Sequence, residues 1–388
     1  MTRRWIILTG EYPPSVGGVG HYCSILAGAL AARGDDVTIY APPGSSDSAA
    51  SGAAVKLLPD HFGPRSLLYL SRTLRSQHST CPVLVQYVPH NFGWKLMNVL
   101  FCLWLWLWRH ADKRIWIMFH EVSFPFVRGQ SWRRHFLALV QHVMAFCCLR
   151  AASRIFVSCA AFKSYIEKTL ACRKEISVLP VFSNIPDTVD DAAVKSLRHS
   201  ILPQDEWQLI GHFGKFQKTV SRTPALPYKK LLERHLQLCF LLIGENAELE
   251  AGRAKRENPE TASRILALSN ASAAEAATAL ASCDLVIQPY QGGANSRHSS
   301  LLASLALGKP IVTNLGPLSE PFWASSSAVA LASSSSEEDI YRSAEALLSS
   351  RDQRRELSAK AIGLYRDVFH LDRTLEVLYQ KAEEDDIT

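Results

Sequence analysis

The sequence of 388 residues contains no apolar run near the roughly 18 residues that a membrane-crossing helix requires. Its strongest candidate, LMNVLFCLWLWLW at 96–108, would extend about 20 Å as a helix against a hydrocarbon core of roughly 30 Å, too short to cross alone. The apolar stretch after Met1-Thr-Arg-Arg is too short for a signal-peptide core, which argues against secretion. Among nine cysteines there is no C-x-x-C pair, only the adjacent Cys147 and Cys148, so zinc-ribbon and thioredoxin-like spacings are excluded. The cysteines read as small buried hydrophobes in a reducing, cytoplasmic compartment. Neither sign of charge dominates. Forty-two Lys and Arg against 36 Asp and Glu leave +6, with no continuous basic stripe to indicate nucleic acid. Neither G-x-G-x-x-G nor G-x-x-x-x-G-K-[ST] occurs, which disfavours a dinucleotide site and excludes a P-loop, and no fixed-period repeat is visible.

What remains is an ordinary globular balance, 47% hydrophobic and 20% charged, in a length that suggests two to three domains at roughly 150 residues each. Short apolar runs alternate with amphipathic stretches from the start. Strands are expected at 5–9, 37–40, 83–87, 115–119, 154–158 and 176–179, with helices at 22–33 and near 66–78, 94–110, 132–150 and 160–170. Periodicity is lost after Pro180 and restarts at Gln208, with strands at 208–211, 238–243, 264–268, 284–289 and 310–313 and helices including 272–282 and 299–307. Helices are expected again at 337–349 and 352–384. The fold class is α/β, with two doubly wound parallel sheets. The boundaries expected are 1–185 for the first domain, 186–206 for a linker, 207–365 for the second domain and 366–388 for a C-terminal helix packing back across the domains.

Open α/β sheets bind ligands beyond the carboxyl ends of their strands, so the loops there are the places to search for chemistry. After the first strand, Gly10 to Gly20 contains Gly17 and Gly18 ahead of a helix start, where free N–H groups and the positive dipole end suit an anion or a sugar; a plain turn is the bland reading. His120 and Glu121 end a strongly apolar strand, an imidazole and a carboxylate able to bind a hydroxyl or stabilise transient charge, although a lone histidine is more often an ordinary hydrogen-bonded residue. Lys215 and Lys218 follow the first strand of the second domain and could clamp a leaving diphosphate; isolated lysines are usually solvated surface. In 291–300, QGGANSRHSS, a glycine loop opens a helix that Ser299 or Ser300 can cap, and Arg297 with the helix amides suits a diphosphate. The tryptophans of 104–108 fall on opposite sides of a helix and read as buried between layers, while Arg109, His110, Lys113 and Arg114 behind them would permit peripheral docking at a membrane.

In order, these pieces resemble the family-4 glycosyltransferases. The resemblance rests on ProPro-x-x-GlyGly at 13–18, LeuAla-x-x-Leu-x-x-ArgGly at 26–34, Phe119-His-Glu121, Ala152-Ser-Arg-Ile-Phe-Val-Ser158, Leu241-Leu-Ile-Gly244, Cys283-Asp-Leu-Val-Ile-Gln-Pro289 and Leu305-Ala-Leu-Gly-Lys-Pro-Ile-Val-Thr313, with Glu320 shortly after. It implies the GT-B architecture, two facing Rossmann-like domains with a cleft between them. The first domain would then bind the acceptor and the second a nucleotide diphosphate-sugar, the co-substrate. His120 and Glu121 would be the catalytic pair. Gly17, Gly18, Lys215, Lys218, Asn295, Arg297, Ser299, Ser300 and Glu320 would serve the donor, and no metal or other cofactor would be needed. The sequence departs from the family pattern where two glutamates eight positions apart are usual: Asn295 and Ala303 stand there instead.

The function expected is retaining, hexosyltransferase-type transfer of a sugar to a carbohydrate or lipid-linked acceptor in polysaccharide or cell-envelope synthesis, in the cytoplasm or at the inner face of a membrane. The departure at Asn295 and Ala303 supplies the alternative, a catalytically silent GT-B protein that binds a partner glycosyltransferase or a carbohydrate. A sugar-nucleotide epimerase on the same architecture is a third reading.

Overall fold

The computed structural model describes residues 2–15, 17–46, 52–75, 81–109, 114–204, 206–216 and 226–387. Lys218 of the sequence-derived donor set, and His110 and Lys113 of the basic segment, lie outside them. The chain forms two compact units, Met1–Pro180 joined by Thr374–Thr388, and Val181–Arg373.

The first unit runs β1 (Arg4–Thr9), α1 (Gly18–Ala32), β2 (Asp36–Ala41), β3 (Ala54–Leu57), α2 (Pro64–Arg75), β4 (Val83–Tyr87), α3 (Val99–Trp108), β5 (Ile115–Phe119), α4 (Trp132–Ala151), β6 (Arg154–Val157), α5 (Ala160–Thr169) and β7 (Ile176–Val178). Its seven strands are all parallel in the order β3-β2-β1-β4-β5-β6-β7, with Ile7 opposite Ile39 on one side and Leu84 on the other. Helices cover both faces of such a sheet, so its central strands are continuous apolar runs: every residue of β5, IWIMF, is buried. Trp104 and Trp106 pack against the core and Trp108 lies within it, and the indoles of Trp104 and Trp108 both donate to Ser71 Oγ.

The second unit begins with α6 (Asp191–Ile201), then β8 (Gln208–Phe213), α7 (Tyr228–Arg234), β9 (Leu238–Ile243), α8 (Ala247–Glu257), β10 (Ile265–Leu268), α9 (Ala273–Ala281), β11 (Leu285–Ile287), α10 (Ser299–Ala306), β12 (Ile311–Asn314), α11 (Phe322–Ser325), β13 (Ala330–Ala332), α12 (Glu337–Leu348) and α13 (Arg351–Leu364). Six parallel strands take the order β10-β9-β8-β11-β12-β13. The stretch expected to be a linker therefore holds a helix, α6, whose first turn is capped by the Asp190 carboxylate accepting from Ala192 N–H. The single helix expected over 352–384 is broken. Tyr365–Phe369 forms a π-turn, His370 is extended at φ −60° and ψ 143°, and α14 (Leu371–Ile387) starts afresh.

From Thr374 onward α14 belongs to the first unit. There Asp385 accepts from Arg154 Nε and the Trp116 indole, Asp386 pairs with Arg3 and Arg114, and Tyr379 donates to Asp35. In each sheet the chain winds outward one way, returns to the middle and winds the other way. The reversals fall between β1 and β4 and between β8 and β11, which directs attention to the loops leaving those strands.

Candidate active site

In the first unit the strand ends bring together residues from three loops. β1 runs into Gly10 and Glu11, β4 into His90 and Asn91, and β5 into His120 and Glu121. Glu11, which the sequence reading did not single out, takes up the helix start offered there for an anion: its Oε1 accepts from Val19 N–H at 2.8 Å and Gly20 N–H at 2.9 Å. A carboxylate at the positive end of α1 is favourable on both hydrogen-bond and dipole grounds. A Cβ on Gly17 would stand 2.3 Å from Glu11 Oε1 and displace that carboxylate, whereas a Cβ on Gly18 would meet nothing within 4 Å.

His120 is buried, with Tyr22 of α1 edge-on at a ring separation of 4.8 Å. Its Nε2 lies 2.7 Å from Gln86 Oε1, an acceptor, so Nε2 carries the proton and Nδ1 is left as the accepting nitrogen. Burial pushes its pKa down to about 4, against a small opposing pull from Glu121, which makes it a neutral imidazole near pH 7. Glu121 itself is half-exposed and faces His90 Nδ1 at 3.5 Å. The hydrogen bond from Glu121 raises the His90 pKa over the opposing effect of burial, and the charge of Glu11 adds to the rise.

In the second unit His212, the penultimate residue of β8, donates from Nδ1 to Ile287 O, at 2.6 Å. Lys215 follows it and pairs with Glu245 at 2.7 Å, its side chain largely exposed. The loop after β11 is built by backbone contact between two glycine segments. Gly293 has φ +82°, and a Cβ on it would come within 2.1 Å of Gly316 N. Leu318 N–H donates to Gly292 O.

Beyond those glycines, Asn295 is fully buried, its side chain accepting from Arg297 N–H at 3.2 Å and donating to Gly293 O at 3.3 Å. Glu320 lies buried beneath the loop, where its carboxylate accepts from Ser296 N–H and, at 2.9 Å, from the Trp323 indole. It holds the loop from below. His298 stacks flat on Tyr290, ring centroids 3.8 Å apart and planes 7° from parallel, and Tyr290 OH meets Ser300 Oγ at 2.9 Å.

The cap of α10 differs from the expectation. Neither Ser299 nor Ser300 caps it: the N-cap is His298, with no side-chain cap bond, because Ser300 is the second helical residue and its hydroxyl is engaged by Tyr290. Two buried polar atoms next to that helix start, Ser296 Oγ and His298 Nδ1, have no hydrogen-bond partner among the described residues. The starts of α1 and α10 differ. That of α1 is closed by a carboxylate of the chain itself, while at that of α10 the N-cap residue His298 makes no side-chain cap bond and the neutral Tyr290 hydroxyl accepts from Leu301 N–H. Lys215, Arg297, Ser299 and Ser300 all belong to this second unit, as do Asn295 and Glu320, whereas Gly17, Gly18, His120 and Glu121 belong to the first.

Residues 16–182 match the family model described as Glycosyltransferase Family 4. No curated protein matches the sequence significantly. Solved structures similar over the whole chain include sucrose-phosphate synthase from Thermosynechococcus elongatus, at a TM-score of 0.73 and 13% identity, with 100% of each chain covered. Anabaena HepE in complex with UDP and glucose has a TM-score of 0.68 at 11% identity, covering 99% of this chain and 100% of that one. WaaG, a glycosyltransferase involved in lipopolysaccharide biosynthesis, has 0.64 at 16%, covering 96% of this chain and 98% of its own. The fold is GT-B, two Rossmann-like units of all-parallel sheet, and the stretch that matches the family-4 model makes up most of the first unit.

Proposed function

We propose that the protein is a glycosyltransferase that moves a hexosyl group from a nucleoside diphosphate sugar to a carbohydrate or lipid-linked acceptor, with retention of configuration and without a metal ion. The second unit would hold the donor and the first the acceptor, in a cytoplasmic reaction of polysaccharide or cell-envelope synthesis. The observation that carries this reading is the start of α10, where a glycine-built loop, a helix amino terminus with no carboxylate on it, Arg297 and the unpartnered Ser296 Oγ and His298 Nδ1 make a polar cradle suited to a diphosphate. Helix amides, Arg297 and Lys215 would neutralise the departing diphosphate, the charge that develops in the transition state. His120, neutral and accepting at Nδ1, would orient or polarise a hydroxyl group in the first unit. The all-free state of the nine cysteines, eight of them buried, supports a reducing compartment. HepE, bound to UDP in its structure, supports a nucleotide-sugar donor.

One observation favours the silent binding protein as a second reading. Ala303 is fully buried on α10, and the amide of Asn295 is engaged within its own loop, so neither offers a carboxylate to a donor. Turnover separates the two. With UDP-, GDP- and ADP-sugars and a panel of saccharide and lipid-linked acceptors, the full chain should release nucleoside diphosphate, unaffected by EDTA. His120→Ala should lower that rate by about 100-fold with little change in donor affinity. Nucleotide binding without any release would support the silent protein, and conversion of the donor with no acceptor present would support an epimerase.

A further inference from the structure

Helix α4 carries a feature that sugar transfer does not use. Trp132, Phe136, Leu139, Val143 and Phe146 recur at intervals of four, three, four and three residues, which sets them in one row about 20 Å long on a single side of the helix. All five are exposed, Trp132 by 73% and Leu139 by 55%, while Ala138, Met144, Ala145 and Cys148 on the other side enter the core. An ordinary surface helix shows polar residues where this one shows that row.

Helix α3, which packs against α4, adds Leu103 and Leu107, the latter 69% exposed. A patch of contiguous exposed apolar side chains on this scale marks an interaction surface.

The charges around the row identify its partner. From Val122 to Arg150 there is no aspartate or glutamate, but there are four arginines, 128, 133, 134 and 150, all exposed. Arg133 lies over the Trp132 ring at 5.8 Å and Arg150 over Phe146 at 5.1 Å, so cations flank the apolar row at both ends. Lys174 donates to the carbonyls of Leu149 and Ala152, which satisfies the negative end of α4 and leaves Arg150 and Arg173 free to define a basic hollow there with Phe146 and Leu170. Aromatic and aliphatic side chains on one face of a helix, edged by arginine and devoid of acids, suit the headgroup boundary of an anionic bilayer.

We infer that this α4 face docks the first unit on an anionic lipid surface, the helix lying in the interface plane with Trp132 to Phe146 entering the acyl boundary and the arginines meeting phosphates. The sequence placed docking at the basic residues behind Trp104, Trp106 and Trp108; the face described here is centred on α4 and takes only leucines from that stretch, because its indoles are turned to the core and to Ser71. Docking of this kind stands whether or not the chain transfers sugar.

The test is sedimentation of the full chain with vesicles of phosphatidylcholine alone or with about a third phosphatidylglycerol. Wild-type protein should sediment with the mixed vesicles, weakly with the neutral ones, and less in high salt. Leu139→Glu should reduce the bound fraction about tenfold or more, and the pair Arg133→Glu and Arg134→Glu should remove the preference for anionic lipid. Leu236→Glu, at an exposed leucine of the second unit, should bind as wild type does. Circular dichroism and melting of each variant establish that it is folded, and Trp132→Ser, at the first turn, replaces Leu139→Glu if that variant is not. Absence of binding to the mixed vesicles, or equal binding by wild type and a folded stripe variant, would overturn the inference. So would a concentration-dependent dimer that Leu139→Glu abolishes in a chain that ignores lipid, for the face would then meet a second copy.

Discussion

Three histidines of the site region are buried in a state that refuses a proton. Burial brings His120 and His212 down to about 4, and burial with Arg297 alongside brings His298 down to about 3. In the unfolded chain the same side chains titrate near 6.5. Between those values the unfolded state binds protons that the native state does not, so stability is complete above about pH 6.5 and is lost as pH falls toward 4, on the order of 1.4 kcal/mol per pH unit for each histidine. Denaturant unfolding from pH 7.5 down to 4.5 should show that loss, and His212→Gln should flatten it by the share of one histidine; an unchanged slope would contradict the assignment. Of the three histidines, His120 was legible in the sequence because it follows an apolar strand, whereas His212 and His298 were not singled out. The structural task of Glu11 was not legible either. A lone glutamate in a loop reads as solvated surface, and only the fold brings it to the amides of residues 19 and 20. The roles of Asn295 and Glu320 in holding their loop were equally hidden, since the sequence shows the 291–300 motif but not which of its backbone groups these side chains meet.

Helix starts connect those residues to elements. Glu11→Ala should remove the acceptor at the positive end of α1 and lower stability by about 1–2 kcal/mol, whereas Glu11→Gln, which keeps an oxygen there, should cost less. Chemical denaturation of the two variants checks the order, and equal losses would mean that packing rather than capping is responsible. The strands of both sheet centres were legible because buried parallel strands are apolar on both faces. The edge strands β3 and β13 were not: AVKL in β3 is mostly exposed and β13 is only three residues long, so neither shows a run or an alternation. Helix α6 has no buried residue, which is why its sequence reads as a polar linker. The break between α13 and α14 was hidden for another reason. Gly363 lies inside α13 two residues before it and does not end that helix; the break is made by a π-turn and by the extended backbone of His370.

At the scale of the whole chain, α14 returns sequence from the far end to the first unit through Asp385, Asp386 and Tyr379. Asp385 is only 14% exposed and takes both Arg154 and the Trp116 indole, so Asp385→Asn should destabilise by about 1–3 kcal/mol. A fall in the thermal midpoint without loss of nucleotide binding in the second unit would check this, and an unchanged midpoint would contradict it. The central claim concerns that second unit, where the start of α10 is assigned to a diphosphate. Isothermal titration of the full chain with UDP, GDP and ADP, repeated on Arg297→Ala, tests it most directly. The account predicts saturable binding of at least one nucleotide, weakened about tenfold or more by the substitution; failure of all three to bind, or equal binding by the variant, would contradict it.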